Sequence, residues 1–310
     1  MAFQPGNWQI ALAILAVVVM LVPIIPYRGL FIAGCVLQLT FQQSEQINAG
    51  EFRLVVLDVG QGLAVIIQTA KHALVYDTGP SFGSYSAGTA IVLPALKFYG
   101  ISTIDQLMIS HGDNDHAGGF RGLREKIAIK EVMVSAENTN IASAKLCQRG
   151  QHWIWDDVTF EILSPSSGSH GKKNDLSCVL RVYSSYGSAL LPGDIEWKTE
   201  RALLDSEGIV LKADVLLAPH HGSNTSSTSS FVERVSPQFV VFSVGFFNRF
   251  DFPHSEVFAR YLEAGASAMI LPGISGAYLL LILGHYANII TVVKDTVKAA
   301  AAADIGALVA

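Results

Sequence analysis

Charge is what this sequence has least of at its two ends. Among the first 44 residues Arg28 alone is charged, and from Ala264 to Val293 there is no Asp, Glu, Lys or Arg. Basic residues are short elsewhere too. Setting aside Arg28, Lys294 and Lys298 from the 21 Lys and Arg, and Asp295 and Asp304 from the 26 Asp and Glu, leaves 18 against 24 between Glu45 and Glu263. That acidic balance excludes a broad basic face, so any polyanionic ligand needs bound cations or a local basic patch to offset the field. Cysteine is scarcer still. Cys35, Cys147 and Cys178 have neither metal-like nor paired spacing, which points to buried thiols and says nothing firm about redox surroundings. A length of 310 residues fits one or two domains, and the charged middle is long enough to bury a core.

What the ends have instead is apolar sequence. Ile10–Ile25 is an almost continuous apolar run, and Trp8 and Tyr27 bracket about 20 residues, roughly one hydrocarbon thickness as a helix. No basic leader precedes the run, which argues against a signal peptide. Gly29–Phe41 reads as a shorter membrane-associated piece. Residues 1–44 are therefore expected to be a transmembrane or membrane-associated segment, and the bare start reads as the cut end of a larger polytopic protein. Gln42–Gly50 is a polar linker, and a soluble pattern follows it.

Val- and Ile-rich strands are expected at Phe52–Asp58, Ala64–Thr69 and Ala73–Tyr76, then a helix at Gly88–Tyr99 and a strand at Gln106–Ile109. Further strands are expected at Glu131–Val134, Val158–Leu163, Ser177–Tyr183, Ser188–Leu191, Ala213–Leu217 and Phe239–Val244. Helices are expected at Ile195–Ser206, Ser229–Val235 and Ser255–Ala264. Strands first, then mixed strands and helices, predict layered α/β architecture with sheet inside helices.

Ile109-Ser110-His111-Gly112-Asp113-Asn114-Asp115-His116-Ala117-Gly118-Gly119 carries the chemistry. An apolar strand delivers two His and two Asp within six residues. Side chains two apart on an extended end point the same way, so His111 and Asp113 can converge on one ion. Asp115 and His116 lie in the turn and can take a second. Imidazole with carboxylate is ligand chemistry for zinc or manganese.

This string resembles the signature of the metallo-β-lactamase superfamily. Asp77-Thr78-Gly79 is similar to the superfamily's earlier turn motif, and Leu191-Pro192-Gly193-Asp194 to its later Gly-Asp motif. Within the superfamily, Leu57-Asp58-Val59-Gly60-Gln61-Gly62 and His220-His221-Gly222-Ser223 resemble the C-terminal domain of the ComEC family of bacterial competence (DNA internalization) proteins. Asn174–Arg181, Ser243-Val244-Gly245, Asn248-Arg249 and Pro253-His254 add to that likeness, which covers roughly residues 1–266. It implies an αββα sandwich over residues 45–266, preceded by transmembrane sequence, with one or two divalent ions, Mn or Zn.

The resemblance implies that His111 and Asp113 hold the first ion, that Asp115, His116 and His220 hold the second, and that Asp194 bridges them. His254 is a further candidate ligand, although Asp251-Phe252 stands where the family has Gly-His. The superfamily's third histidine of the first site has no counterpart in a matching motif; His152 and His170 lie in the right interval, and His170 reads as a loop residue. Asp115 and Asp194 are the candidates for orienting a water. His221, Ser223 and Asn224 are candidates for touching a phosphate or protonating a leaving oxygen, and Lys172 and Lys173 supply local positive charge.

The implied function is a metal-dependent phosphodiesterase or nuclease domain of a DNA-uptake protein in the bacterial inner membrane. Its implied partners are DNA, the membrane and other components of an uptake channel, with oligomeric state left open. Two rivals remain: a catalytically weak DNA-guiding module, and a membrane-tethered hydrolase of small esters. Ile270–Leu280 resembles instead a short signature of bacterial polyprenyl-phosphate transporters. Residues 267–310 therefore read as an unrelated apolar tail, with Ala264–Val293 preferred as a membrane segment over a terminal strand and packed helix. A chain joining two such ends reads as a fused reading frame.

Overall fold

The computed structural model describes residues 46–135, 141, 143–206, 208–271 and 278–283, together with residues 14–17, 19 and 29. The expected membrane runs Ile10–Ile25 and Gly29–Phe41 lie, but for those isolated positions, outside the described residues. No helix among the described residues is long and apolar enough to cross a membrane. The chain divides into two compact units, Ile47–Leu96 with Gly100–Ala310, and Met1–Gln46 with Lys97–Tyr99.

The larger unit is built on two seven-stranded sheets. β1 (Phe52–Leu57), β2 (Val65–Gln68) and β3 (Ala73–Tyr76) form an antiparallel meander. After a small hairpin of β4 (Ser81–Phe82) and β5 (Tyr85–Ser86) comes helix α1 (Leu93–Phe98). β6 (Thr103–Ile109) then adds parallel to β3. Two short helices, α2 (Asn114–Ala117) and α3 (Phe120–Arg124), precede β7 (Ala128–Val134) and β8 (Lys145–Leu146), which extend that sheet in parallel.

The second sheet starts antiparallel with β9 (His152–Trp155), β10 (Val158–Ser164), β11 (Val179–Tyr183) and β12 (Ser188–Leu191). It ends parallel, with β13 (Val215–Leu217), β14 (Phe239–Ser243) and β15 (Ser267–Leu271). Helices α4 (Trp197–Leu204), α5 (Ser229–Val235) and α6 (Ser255–Glu263) alternate with those strands. β16 (Tyr278–Leu283) then returns to the first sheet and pairs antiparallel with β1 along its whole length.

Alternation along the strands assigns the layers. In β1 every residue is buried. Phe52, Leu54 and Val56 join Phe160, Ile162, Leu180 and Val182 in a core between the sheets. On the outer face of the second sheet, Val179, Leu190, Leu216 and Val240 form a separate core with Leu203, Phe231, Val232, Val257 and Tyr261 from α4, α5 and α6. This is the expected sandwich, with sheets face to face inside helices.

Polar and covalent ties cross between the sheets. The Tyr76 hydroxyl lies 2.7 Å from the Cys178 carbonyl and 3.1 Å from that of Leu191. Cys147 and Cys178 form a disulfide, which corrects the expectation of buried free thiols. Both are buried, but Cys147 follows β8 and Cys178 precedes β11, so the fold brings together residues whose sequence separation suggested no pairing.

The tail needs a second correction. Over its described part, Ser267–Leu271 and Tyr278–Leu283 are strands of the two sheets, not a membrane segment, and a boundary at residue 266 cuts through the fold. Tyr-Leu-Leu-Leu-Ile-Leu is apolar at every position, and such a run has no period to separate a strand from a helix.

Candidate metal centre

The cluster sits where the parallel strands of both sheets end. Asp77 follows β3 and His111 stands two residues beyond β6. Asp113 precedes α2, which carries Asp115 and His116. Asp194 lies in the turn after β12, and His220 and His221 in the turn after β13. Carboxyl ends of parallel strands are where α/β folds gather ligand-binding loops. Two close approaches hold the loops in place. Gly62, in a left-handed conformation, lies so near α2 that a Cβ there would meet the Asp115 carbonyl at 2.3 Å. Gly193, with φ +60°, leaves no room for a Cβ beside Ser177 and Ser110.

The Asp194 carboxylate is the hinge of the arrangement, and it is buried. Its Oδ1 lies 3.1 Å from His116 Nε2 and 3.6 Å from His221 Nε2. Its Oδ2 lies 3.8 Å from His111 Nε2 and 3.9 Å from His220 Nε2. Asp115 Oδ2 completes the first group, 3.5 Å from His221 and 3.9 Å from His116. Asp113 Oδ2 joins the second, 3.7 Å from His111 Nε2. One carboxylate thus shows one oxygen to each of two histidine pairs.

Every imidazole is oriented through its Nδ1. His116 Nδ1 is 2.8 Å from Asp77 Oδ2, and Asp77 also accepts from the Ser110 amide and hydroxyl, each at 2.7 Å. Since that hydroxyl donates to Asp77, it accepts from His111 Nδ1 at 3.1 Å. His221 Nδ1 donates to the Ser243 carbonyl at 2.8 Å, and His220 Nδ1 meets the Thr225 hydroxyl at 3.0 Å. All four Nε2 atoms therefore face the cluster, an arrangement typical of metal-ligating histidines with outer partners.

Two groups have donor atoms all within 4.8 Å of one another, Asp115 with His116 and His221, and His111 with His116 and Asp194, and three observations fit a divalent ion there. His111 Nε2 is buried without a hydrogen-bond partner among the described residues, a costly state for a polar atom unless something else claims its lone pair. His116 Nε2 and His221 Nε2 lie only 3.1 Å apart, so two lone pairs face each other unless a positive charge sits with them. The separations of 3.1 to 3.9 Å are close to the roughly 3–3.5 Å expected between ligands on one ion with bonds of about 2.1 Å.

The electrostatics agree. Burial works to lower His116, but the Asp194 and Asp77 carboxylates outweigh it and hold that imidazole well above the ordinary histidine range. Burial works to raise Asp115, but His221 and His116 pull it down to about 2. Asp194 is likewise held well below the usual carboxylate range, against burial, by His116 and His221. The pocket favours positive charge and keeps its carboxylates ionised. Burial lowers His220 below the ordinary histidine range, which keeps a bare Nε2 available.

The structure places His221, and not His220, against Asp115 and His116; His220 lies instead on the His111 side of Asp194. Both residues have left-handed backbones, with φ of 50° and 56°. Neighbours on a strand point to opposite sides, but this double left-handed turn brings both rings onto one carboxylate. His220 thus approaches Asp194 from the His111 side, 3.9 Å from Oδ2, but stands outside both groups whose donors lie within 4.8 Å of one another.

His254 falls in neither group. Its ring sits edge-on to Phe252, 5.3 Å away. His152 and His170 are exposed. Ser223 is buried and meets Thr225 at 3.1 Å, while Asn224 is exposed. Lys172 is paired with Glu196 at 2.9 Å, and Lys173 reaches to 3.8 Å from Asp113. Asp77, Ser110 and Ser243 took no role in the sequence reading. Asp77 had a signal in its turn motif, whereas the Ser243 contribution is a backbone carbonyl that no side-chain pattern reveals. Asn174 was likewise missed, with its amide 3.5 Å from His220 Nε2.

A two-sheet sandwich with a His/Asp cluster at its strand ends defines a metallo-β-lactamase-fold domain. Residues 57–245 match the family model of the metallo-beta-lactamase superfamily, and the chain belongs to that superfamily of hydrolases. Residues 208–309 also match a model described as undecaprenyl phosphate translocase-like. The two matches overlap over 208–245, which in the structure are β13, α5 and β14 of the sandwich.

Among named relatives, the chain is 34% identical to "Competence protein ComA" of Neisseria gonorrhoeae, over 86% of this chain and 38% of that protein. It is 33% identical to "Recombination protein 2" of Haemophilus influenzae, over 87% of this chain and 34% of that protein. The chain thus spans little more than a third of either relative's length. The metallo-β-lactamase fold protein YhfI of Bacillus subtilis superposes with a TM-score of 0.49 at 12% identity, covering 74% of this chain and 100% of that one.

Proposed function

We propose that this chain carries a metal-dependent phosphodiesterase that acts on DNA within a competence-type uptake system. The observation that carries the reading is the division of the Asp194 carboxylate, with Oδ1 toward His116 and His221 and Oδ2 toward His111 and His220. Those residues would hold one or two divalent ions, and a two-ion site is suited to in-line displacement at a phosphodiester. Divalent ions there would supply Lewis acidity, lowering the pKa of a water and offsetting charge on phosphoryl oxygens.

The chain's own residues do the rest. Asp77, Ser110 and Ser243 fix the imidazoles, so the ligand set is preorganised. Asp115 and Asp194, held ionised, can orient a water by accepting its hydrogen bonds. Lys173, exposed beside Asp113, offers a cation to an approaching phosphate where the domain as a whole is acidic. The DNA substrate is supported by the named competence relative and by the fit of a two-ion site to phosphate chemistry. The guiding-module alternative drew its support from an incomplete first site, and the grouping of His111 with His116 and Asp194 weakens it.

Elemental analysis of the purified chain, with cleavage of single- and double-stranded DNA measured in Mn²⁺ and in chelator, tests the proposal. It expects bound Mn or Zn and chelator-sensitive cleavage; metal-loaded protein that leaves both forms of DNA intact refutes it.

A further inference from the structure

Beside the cluster, the loop Phe246-Phe247-Asn248-Arg249-Phe250-Asp251-Phe252 holds large apolar rings in water. Phe246 is 55% exposed, Phe247 90% and Phe250 43%. Such a patch beside a site marks an interaction surface more often than an accident of packing. The loop is built to hold its shape. The Asn248 side chain donates to the carbonyls of Gly245 and Phe252 and accepts from the amides of Phe250 and Phe252. The phenylalanines pair, Phe246 edge-on to Phe247 at 4.1 Å and Phe250 stacked on Phe252 at 5.4 Å. The Arg249 guanidinium lies 4.8 Å from the Phe250 ring.

The loop is also joined to the chemistry. The Gly245 amide donates to Gln61, whose neighbour Gly62 presses on Asp115. The Phe252 ring meets His220 edge-on at 5.8 Å. A groove of about 370 Å³ runs along the loop, lined by Val244, Phe246, Phe247, Phe252 and Ile270 among others.

We propose that Phe247 and Phe250, with Arg249 between them in sequence, form a stacking platform for unpaired nucleobases that lays a single-stranded polynucleotide across the cluster. The inference rests on the phosphodiester reading of the metal centre and adds the residues that select the strand. Flat rings beside a cation are what bases and their phosphates require, and stacking works for any base because each has a π-face. A duplex offers no free face to the platform. A lipid surface is the other occupant for exposed phenylalanines, but the tight junction of this loop with His220 and Gln61 favours a ligand shared with the cluster.

The test uses the full chain in detergent with chelator present, so that binding is read without cleavage. Fluorescence anisotropy with an oligothymidylate of about twenty residues should show affinity falling about tenfold per ring in Phe247→Leu/Phe250→Leu and returning in Phe247→Trp/Phe250→Trp. A duplex of equal length should bind more weakly than the single strand. Leucine keeps apolar area but cannot stack, so a Leu variant that binds the strand as tightly as wild type overturns the platform, as a lipid-facing loop would predict. Equal affinity for duplex and strand overturns it too. If the Leu and Trp pattern holds while metal-loaded wild type fails to hydrolyse any phosphodiester, the platform stands and the catalytic reading falls.

Discussion

Asp77 is wholly buried and reaches the cluster only through His116 and Ser110. Replacing it with Asn keeps the shape but removes the charge that orients His116. Metal titration should show affinity lower by about 10–100-fold with the fold retained; unchanged affinity would mean that His116 is held some other way. The adjacent histidines allow a sharper comparison. His221→Ala removes a nitrogen from the Asp115 group and His220→Ala one from the Asp113 group, so each should lower the metal count from two toward one, while Asp194→Ala lowers both sites. If His220→Ala leaves the count unchanged, the His111 side does not use that ring. The ligand types were legible in the sequence because four of them crowd into His111–His116. Their distribution was not, because the left-handed turn at His220 and His221 breaks the alternation on which any reading of which way a side chain points depends.

Most strands were plain at the scale of the element. Ala73–Tyr76 and Ser188–Leu191 match β3 and β12, since β-branched and Leu-rich runs bounded by Gly, Pro or Asp leave little choice. β9 escaped notice because His-Trp-Ile-Trp at a sheet edge has neither the β-branched density nor the two-sided burial of the central strands. The expected helix Gly88–Tyr99 is a widened turn at Gly88–Val92 followed by α1.

The β9–β10 turn also supplies a testable clasp. Asp156 accepts from the Thr69 hydroxyl at 2.6 Å and the Lys71 amide at 2.8 Å, and meets His72 at 3.0 Å. This joins the turn between β2 and β3 to the other sheet. Burial works to raise its carboxyl, but Thr69, His72 and Lys71 outweigh it and leave the pKa lowered. A folded-state pKa below the unfolded one stabilises the fold above about pH 4 and loses that effect as pH falls through the folded value. Asp156→Asn should therefore cost on the order of 1 kcal/mol at neutral pH. The variant should also lose less stability than wild type on acidification below about pH 4 in urea titrations; parallel curves would rule the clasp out.

For the whole molecule, β16 is the piece that the sequence reading gave away. It closes the free edge of β1 over six paired residues, so ending the chain at Leu271 strips that edge. Such a truncation is expected to lose on the order of 3 kcal/mol or more and to aggregate through the exposed strand. Light scattering and thermal melts beside the full chain decide it, and a monomeric, equally stable product would return the tail to a separate role. The disulfide acts at the same scale, closing a sequence separation of 31 residues. Reduction, or Cys147→Ser with Cys178→Ser, should lower unfolding free energy by about 3–4 kcal/mol in the chain-entropy account.

That bridge also bears on sidedness. Disulfides persist in the periplasm and are rare in the cytosol, where thiols are kept reduced. In an inner-membrane setting, the sandwich that carries His111 through His221 is thus expected to face the periplasm. Trapping thiols with an alkylating reagent in intact cells, and weighing the protein, reads the orientation directly. Cys147 and Cys178 should escape labelling until a reductant is added, and prompt labelling of both would put the domain on the inner face.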